Sequence, residues 1–411
     1  MAGLTPTSSR ALVIGDDIGV FLAVARSLGR AGIAVDVATC GEDYPGLKSR
    51  YISDILTLPP YLSAPDKWVD AIREIARGGD YSRIIPSSDS SLDLLALAAQ
   101  GLAREHAQVI AVPHTDALAT FASKSATRIL AQAHRVPVCE GVCESASDVA
   151  NSGAAAGFTE AAGFPVIVKA SQPYLTGSNE AKAGVHLVEN QAEFTKLALS
   201  LGEREIVIER YFEGQGVGVS VIANAGEIEL AWQHRRLAQS SRTGRSSQRR
   251  GERVDPALLK DVEALCRAVR FTGVAMFEFR QNVTSGEHVL LEVNPRFWGS
   301  LPLAIEGGAD FPLALWRMLE GEPAKAPSSQ RDYTITKTSL LAETDRISEE
   351  SGAFNKAAQI AALLAMAQIK PNSFDGWAKD DPAPHRAEVS MIVQRLCAAV
   401  SRRLSQRSTR P

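Results

Sequence analysis

The stretch LLEVNPRFWGS, Leu290 to Ser300, ends an apolar run in a carboxylate, an amide and a guanidinium at short spacing. Glu292 and Asn294 are two apart on a predicted strand, so their side chains leave one face, and oxygen ligands on one face suit a hard cation such as Mg²⁺. Arg296 lies just past the strand end. A second carboxylate follows from arithmetic. GVAMFEFR (Gly273 to Arg280) and HVLLEVNP (His288 to Pro295) flank the turn-rich NVTSGE, and a hairpin centred near Ser285 sets Glu278 directly opposite Glu292. Opposed side chains sit about 5 Å apart at Cβ. Two carboxylates that close repel unless a proton or a metal lies between them, and Asn294 beside them favours the metal. An edge hairpin with solvated acids is the competing reading.

The pair of strands ending in E-x-N-P-R-F-W-G-S resembles the metal-binding end of the ATP-grasp superfamily, in the branch similar to the large subunit of carbamoyl phosphate synthetase. The resemblance implies that Glu278, Glu292 and Asn294 hold Mg²⁺, or Mn²⁺ in its place, against the phosphates of ATP. It also implies that Arg296 faces the transferred phosphoryl group or acyl phosphate.

Other residues join through the same resemblance. Lys169 ends the buried-strand pattern FPVIVKA; a lysine there needs a counter-charge, commonly phosphate, and it matches the family lysine that reaches the nucleotide. Lys124, heading the helix pattern SKSATRILAQAHRVPV, matches the family's other basic position. The loop SQPYLTGSNEAKAG between them corresponds to the phosphate flap, with only Gly177 and Gly184 as glycines and Lys182 as an extra contact. EIVIERYFEG corresponds to the adenine-reading hinge: Glu209 would accept from the exocyclic amine, and Arg210, Tyr211 and Phe212 would line the base. Relatives commonly carry a ribose-binding glutamate near Gly216; here Glu213 is the substitute.

The elements that must position these groups are legible in outline. Residues 11 to 112 alternate short apolar runs (ALVIG, IAVDVAT, RIIPSS, VIAV) with helical patterns, which predicts a parallel, Rossmann-like sheet. Gly15-Asp16-Asp17-Ile18-Gly19 lacks G-x-G-x-x-G and puts acids where a pyrophosphate would sit, which excludes dinucleotide binding. Arg50 and Asp89, at strand-end positions, are candidates for substrate contact. The fold expected is α/β and α+β: a Rossmann-like pre-ATP-grasp domain over 1–116, a two-subdomain ATP-grasp domain over 117–325 and a helical C-terminal extension over 326–411.

RRLAQSSRTGRSSQRRGER is the most basic stretch and reads as a flexible cationic loop. A nucleic-acid platform would interleave aromatics, and none occurs between Arg235 and Arg253. The resemblance places this segment over the phosphates and the substrate carboxylate, with Arg235 and Arg236 as the catalytic candidates. Near the C-terminus, Val389, Ile392, Val393, Leu396 and Val400 form an apolar stripe expected to dock on the body or on a second subunit of a homodimer.

Composition bounds the rest. The 411 residues are 45% hydrophobic and 22% charged, ordinary for a soluble protein, and a net charge of −3 gives no bulk attraction to nucleic acid or membrane. No apolar tract is long enough to span a bilayer, and the N-terminus lacks a signal-peptide pattern, so a cytoplasmic location is expected. Five scattered cysteines make no disulfide framework. The expected activity is an ADP-forming ligase that activates a carboxylate as an acyl phosphate and passes it to an amine, both small molecules. The competing readings are phosphorylation of bicarbonate for carboxyl or carbamoyl transfer, and an ATP-binding sensor or RNA-contacting protein without turnover.

Overall fold

The computed structural model describes residues 9–15, 18–39, 44–61, 63–152, 158–159, 163–172, 184–239, 246–323, 331–350 and 353–408. The strands β1 (Arg10–Ile14), β2 (Ala34–Thr39), β3 (Asp54–Thr57) and β4 (Arg83–Pro86) form a parallel sheet in the order β3-β2-β1-β4. Both faces are covered, which is why β1 is apolar without alternation. Ala11 and Val13 pack against the helix Ile18–Arg30, while Leu12 and Ile14 pack toward Trp68, Ile72 and Leu95 from helices on the other side. This is the Rossmann-like unit expected from the alternating pattern.

A second sheet contains β5 (Gly141–Ser145), β6 (Val166–Ala170), β7 (Val185–Val188) and β8 (Glu205–Arg210), ordered β5-β8-β6-β7. The third has six strands: β9 (Gln215–Asn224), β10 (Glu227–Gln239), β11 (Ser246–Glu252), β12 (Gly273–Gln281), β13 (His288–Asn294) and β14 (Thr336–Thr338). Their order is β13-β12-β9-β10-β11-β14, antiparallel throughout. The β9–β10 hairpin turns on Ala225 and Gly226, both at positive φ (50° and 97°), the pattern of the tight turns whose twist matches paired strands.

Two expectations are corrected here. The arginine-rich stretch is not a loop over most of its length: Arg235 and Arg236 lie in β10, and Arg249 and Arg250 lie opposite them in β11. Only 240–245 fall outside the described residues. The run is cationic yet strand-forming because its members find carboxylates. Arg249 is buried and pairs with Asp375, Arg235 pairs with Glu252, and Arg253 lies over the Tyr333 ring. The other correction concerns Arg50, whose segment serves as a dock. Asp381 accepts from Ser49 Oγ (2.6 Å), from the Arg50 backbone N–H (3.1 Å) and from Arg26 Nε (2.9 Å). Asp380 accepts two bonds of 2.8 Å from Arg30 and one of 2.6 Å from Tyr51.

The C-terminal segment thus closes back on the first sheet while lending β14 to the third. In the helix Ala383–Ser408, Ile392 is buried and packs with Val389 and Leu396 against Leu340, Leu363 and Phe374, whereas Val393 is exposed. The stripe docks on the body of its own chain along that part. Among the described residues no helix is long and apolar enough to cross a membrane.

Candidate active site

The hairpin β12–β13 sets Glu278 opposite Glu292, the register read from the turn length. Its position is fixed from below. Phe277 is fully buried, and Phe121 meets Phe271 and Phe277 at ring-centroid separations of 5.1 and 5.4 Å. Burying a side chain of this size contributes roughly 2–3 kcal/mol, and here it pins the helix Thr115–Ala122 to the back of β12. The chain then enters the helix Lys124–Ala133, capped by Ser123, whose side chain accepts from the Ala126 N–H. Lys124 Nζ reaches Glu292 Oε2 at 3.2 Å.

A cavity of about 710 Å³ opens between this hairpin, the second sheet and the helix Asp89–Gln100. Glu278, Glu292, Asn294, Lys124, Lys169, Glu209 and Arg236 all line it. Arg236 NH2 lies 2.5 Å from Glu278 Oε2, and Asn294 Nδ2 donates to Glu292 Oε1 at 3.5 Å. Burial raises the Glu278 pKa, Glu292 adds to the rise, and Arg236 and Arg296 oppose it. A buried carboxyl facing a second carboxylate and a side-chain amide is an electrostatic site for a cation.

Lys169 has its counter-charge inside the protein. Its Nζ lies 2.7 Å from Glu209 Oε2, and Arg128 NH1 lies 3.0 Å from Glu209 Oε1. Glu209, expected to accept from an adenine amine, is therefore placed as the counter-ion of two cations. Lys169 Nζ also donates to the Leu291 carbonyl at 2.9 Å. That carbonyl is available because the β12–β13 register shifts after Glu278, and an extra residue at such a bulge leaves its backbone groups unpaired.

The hinge residues Arg210, Tyr211 and Phe212 follow β8 and line the cavity. The Arg280 guanidinium sits 5.1 Å from the Tyr211 ring centroid and donates to the Phe212 carbonyl at 3.3 Å, which holds the connection in place. Glu213 is exposed and is not among the lining residues. The space where relatives were expected to place a ribose-binding glutamate is filled from β10: a Cβ on Gly216 would lie 2.7 Å from Arg236 Cδ. Glycine there gives Arg236 its path to Glu278.

Arg235 and Arg236 diverge, as neighbours on a strand must. Arg235 does not line the cavity; Nε lies 2.8 Å from Glu252 Oε1 and NH2 donates to Gln281 Oε1 at 2.9 Å. Its placement does not support the catalytic role expected of it. Arg296 is held by Asp89 through two guanidinium nitrogens, one of them at 2.8 Å, and donates to Asn294 Oδ1 at 3.2 Å. Lys182 and Gly177 lie outside the described residues. Cys139 also lines the cavity; burial and then the Glu209 charge push its thiol up to about 12, so it stays protonated.

The sequence reading passed over Arg128 and the Leu291 carbonyl. Arg128 follows Lys124 by four residues and so shares its helix face, a signal that could have found it. The bulge left no trace in residue type.

Comparison with known proteins agrees with this geometry. Residues 202–340 match the sequence profile of a family described as "ATP-grasp in the biosynthetic pathway with Ter operon". None of the curated proteins matches the chain in sequence. Among solved structures, the chain is similar to a biotin carboxylase complex from Campylobacter jejuni at 19% identity and a TM-score of 0.61, covering 79% of this chain and 74% of that one. It is similar to an N5-carboxyaminoimidazole synthetase from Staphylococcus aureus at 16% identity and a TM-score of 0.59, covering 82% and 83%. It is also similar to an L-amino acid ligase from Bacillus licheniformis at 16% identity and a TM-score of 0.57, covering 79% and 75%. By fold and by the matched segment, the chain is an ATP-grasp protein.

Proposed function

We propose that this protein is an ATP- and Mg²⁺-dependent ligase that activates a substrate carboxylate as an acyl phosphate and couples it to an amine, releasing ADP and phosphate. The observation that carries this reading is the convergence of Glu278, Glu292 and Asn294 with Lys124, Lys169 and Arg236 on one cavity. The residues fit the cation. Two opposed carboxylates and an amide leave most of its coordination to phosphate and water, the habit of Mg²⁺. Among the described residues no cluster of three or more His, Cys, Asp or Glu offers an alternative cage.

Bound ATP and Mg²⁺ would supply the phosphoryl group and much of the charge neutralisation that lets one anion attack another. The chain's own residues do the positioning. Lys124 and Lys169 would take phosphate oxygens, sharing themselves with the carboxylates that hold them now. The backbone of Arg210, Tyr211 and Phe212 would read the base, with Ile167 and Leu291 as apolar walls. Arg296, aimed by its fork on Asp89, would face the oxygen being phosphorylated.

The test is ADP release by the purified protein with ATP and Mg²⁺ against pooled amino acids, small carboxylates and bicarbonate, run beside Glu292→Ala. Acid-dependent ADP release that disappears in the variant is the expected result. Tight ATP binding without release from any pool would favour a sensor, and release with bicarbonate alone would favour carboxyl transfer.

A further inference from the structure

Away from the metal hairpin, the cavity continues along two helices. Leu92, Asp93 and Leu97 line it from Asp89–Gln100, and Leu118 and Ala122 line it from Thr115–Ala122. Leu97 is 40% exposed, an apolar side chain turned to the opening instead of into the core. Asp93 interrupts the apolar run SLDLLALAA, and among the described residues no cation or hydrogen-bond donor holds its carboxylate. Burial and the nearby Asp89 charge push it up to about 6. An apolar-walled cavity with one half-buried, unmatched carboxylate is built for a ligand with a cationic end and an apolar body.

Asp93 is one helical turn from Asp89, roughly 6 Å along the axis, and Asp89 holds Arg296. A carboxylate and a guanidinium so spaced match the two ends of a zwitterion, with a charge-assisted bond of about 2.8 Å at each side.

We propose that this arm seats the acid substrate, and that the acid is an apolar amino acid. Its ammonium rests against Asp93, its carboxylate faces Arg296, and its side chain lies on Leu92, Leu97 and Leu118. The proposal rests on the ligase reading and names its acid. In the reaction, a substrate carboxylate oxygen bonds to the γ-phosphorus as the bond to the β-phosphate oxygen breaks and ADP leaves. A second amine then bonds to the acyl carbon, phosphate leaves, and the amine's proton passes to solvent. The ammonium on Asp93 stays protonated throughout, so the activated amino acid is kept from attacking as the nucleophile, and coupling is directed to the second amine.

Hydroxylamine as the nucleophile reports the acyl phosphate as a hydroxamate whatever the natural amine is. With ATP and Mg²⁺, L-leucine should give a kcat/KM at least about tenfold above 4-methylpentanoate, the same skeleton without its amine, and above L-glutamate. Asp93→Asn should raise the KM for L-leucine about tenfold or more and leave the KM for ATP unchanged, and Asp93→Glu should restore part of the loss. Leu97→Ser, at an exposed position that folding tolerates, should narrow the preference for leucine over serine. Equal use of 4-methylpentanoate, or Asp93→Asn shifting leucine and ATP alike, would overturn the seat while leaving the ligase intact. If no acid yields hydroxamate, the ligase reading falls. Calorimetric titration of L-leucine then decides the seat separately: heat with the wild type but not with Asp93→Asn keeps it, and heat with neither removes it.

Discussion

Arg296 and Asp89 are 207 positions apart, yet they form a two-pronged ion pair that ties the metal hairpin to the first helical turn beyond β4. Ser88 caps that helix and receives the Ser91 N–H, so Asp89 stands on a fixed base. Planarity is what the pair uses. A guanidinium can meet a carboxylate with two nitrogens and still donate to Asn294 and the Phe297 carbonyl, which an ammonium cannot do. Arg296→Lys should therefore lower kcat for hydroxamate formation by about a hundredfold, or near 3 kcal/mol, with ATP affinity within about threefold of wild type. Equal losses in both measurements would mean that Arg296 serves nucleotide binding and not the transfer step.

The neighbours Arg235 and Arg236 should separate stability from activity. Arg236→Ala removes the partner of Glu278 from the cavity wall and should cut turnover at least tenfold with little change in melting temperature. Arg235→Ala leaves Glu252 and Gln281 without their donor in a half-buried setting, so denaturant unfolding should show a loss on the order of 2 kcal/mol, with the KM for ATP unchanged. The reverse assignment of effects would show that β10 adopts a different register in the working enzyme.

These two arginines also mark what could be read in advance. The opposition of Glu278 and Glu292 was accessible because strand period and turn length fix hairpin register locally. The parallel first sheet was accessible from its buried apolar runs. That Arg235 faces away followed from the same period once Arg236 was placed, but treating the stretch as a loop hid it. The partners of Lys169 were not legible: Glu209 lies 40 positions later on a paired strand, and Arg128 reaches it from a helix. Asp89, named only for its strand-end position, gained its meaning from a residue in another sheet. Local periodicity fixes faces and turns, whereas ion pairs between distant elements depend on packing that no short window contains.

The C-terminal dock rests on a similar long-range pair. Arg26 and Asp381 are both buried, and Arg26 NH2 also donates to the Asp381 and Gly376 carbonyls at 2.6 and 3.1 Å. Burial lowers the Arg26 pKa while Asp381 holds the charge in place. Asp381→Ala would strand that guanidinium and leave Ser49 Oγ and the Arg50 N–H unpaired. A loss of roughly 3–5 kcal/mol is expected in equilibrium denaturation, whereas the exposed Cys397→Ser should be neutral. A loss under about 1 kcal/mol for Asp381→Ala would mean that the segment is dispensable to the fold.

Asp93 offers a test of function through pH. Its carboxyl is raised from 3.8 to about 6, so the folded state binds the proton more tightly than the unfolded chain does. A raised acid favours folding when protonated, and that contribution is full below about pH 4 and lost as pH rises to about 6. At pH 7.5 the ionised, half-buried Asp93 thus costs stability, and Asp93→Asn, which cannot ionise, should be more stable than the wild type by on the order of 1–2 kcal/mol. The advantage should shrink to nothing near pH 4 in parallel denaturation curves. A site that weakens the empty fold to keep one charge available is behaving as a binding site, because a cationic ligand returns the lost energy on arrival. Saturating L-leucine should accordingly raise the wild-type melting temperature at pH 7.5 and leave Asp93→Asn unmoved; an equal rise in both would show that the ammonium is held elsewhere.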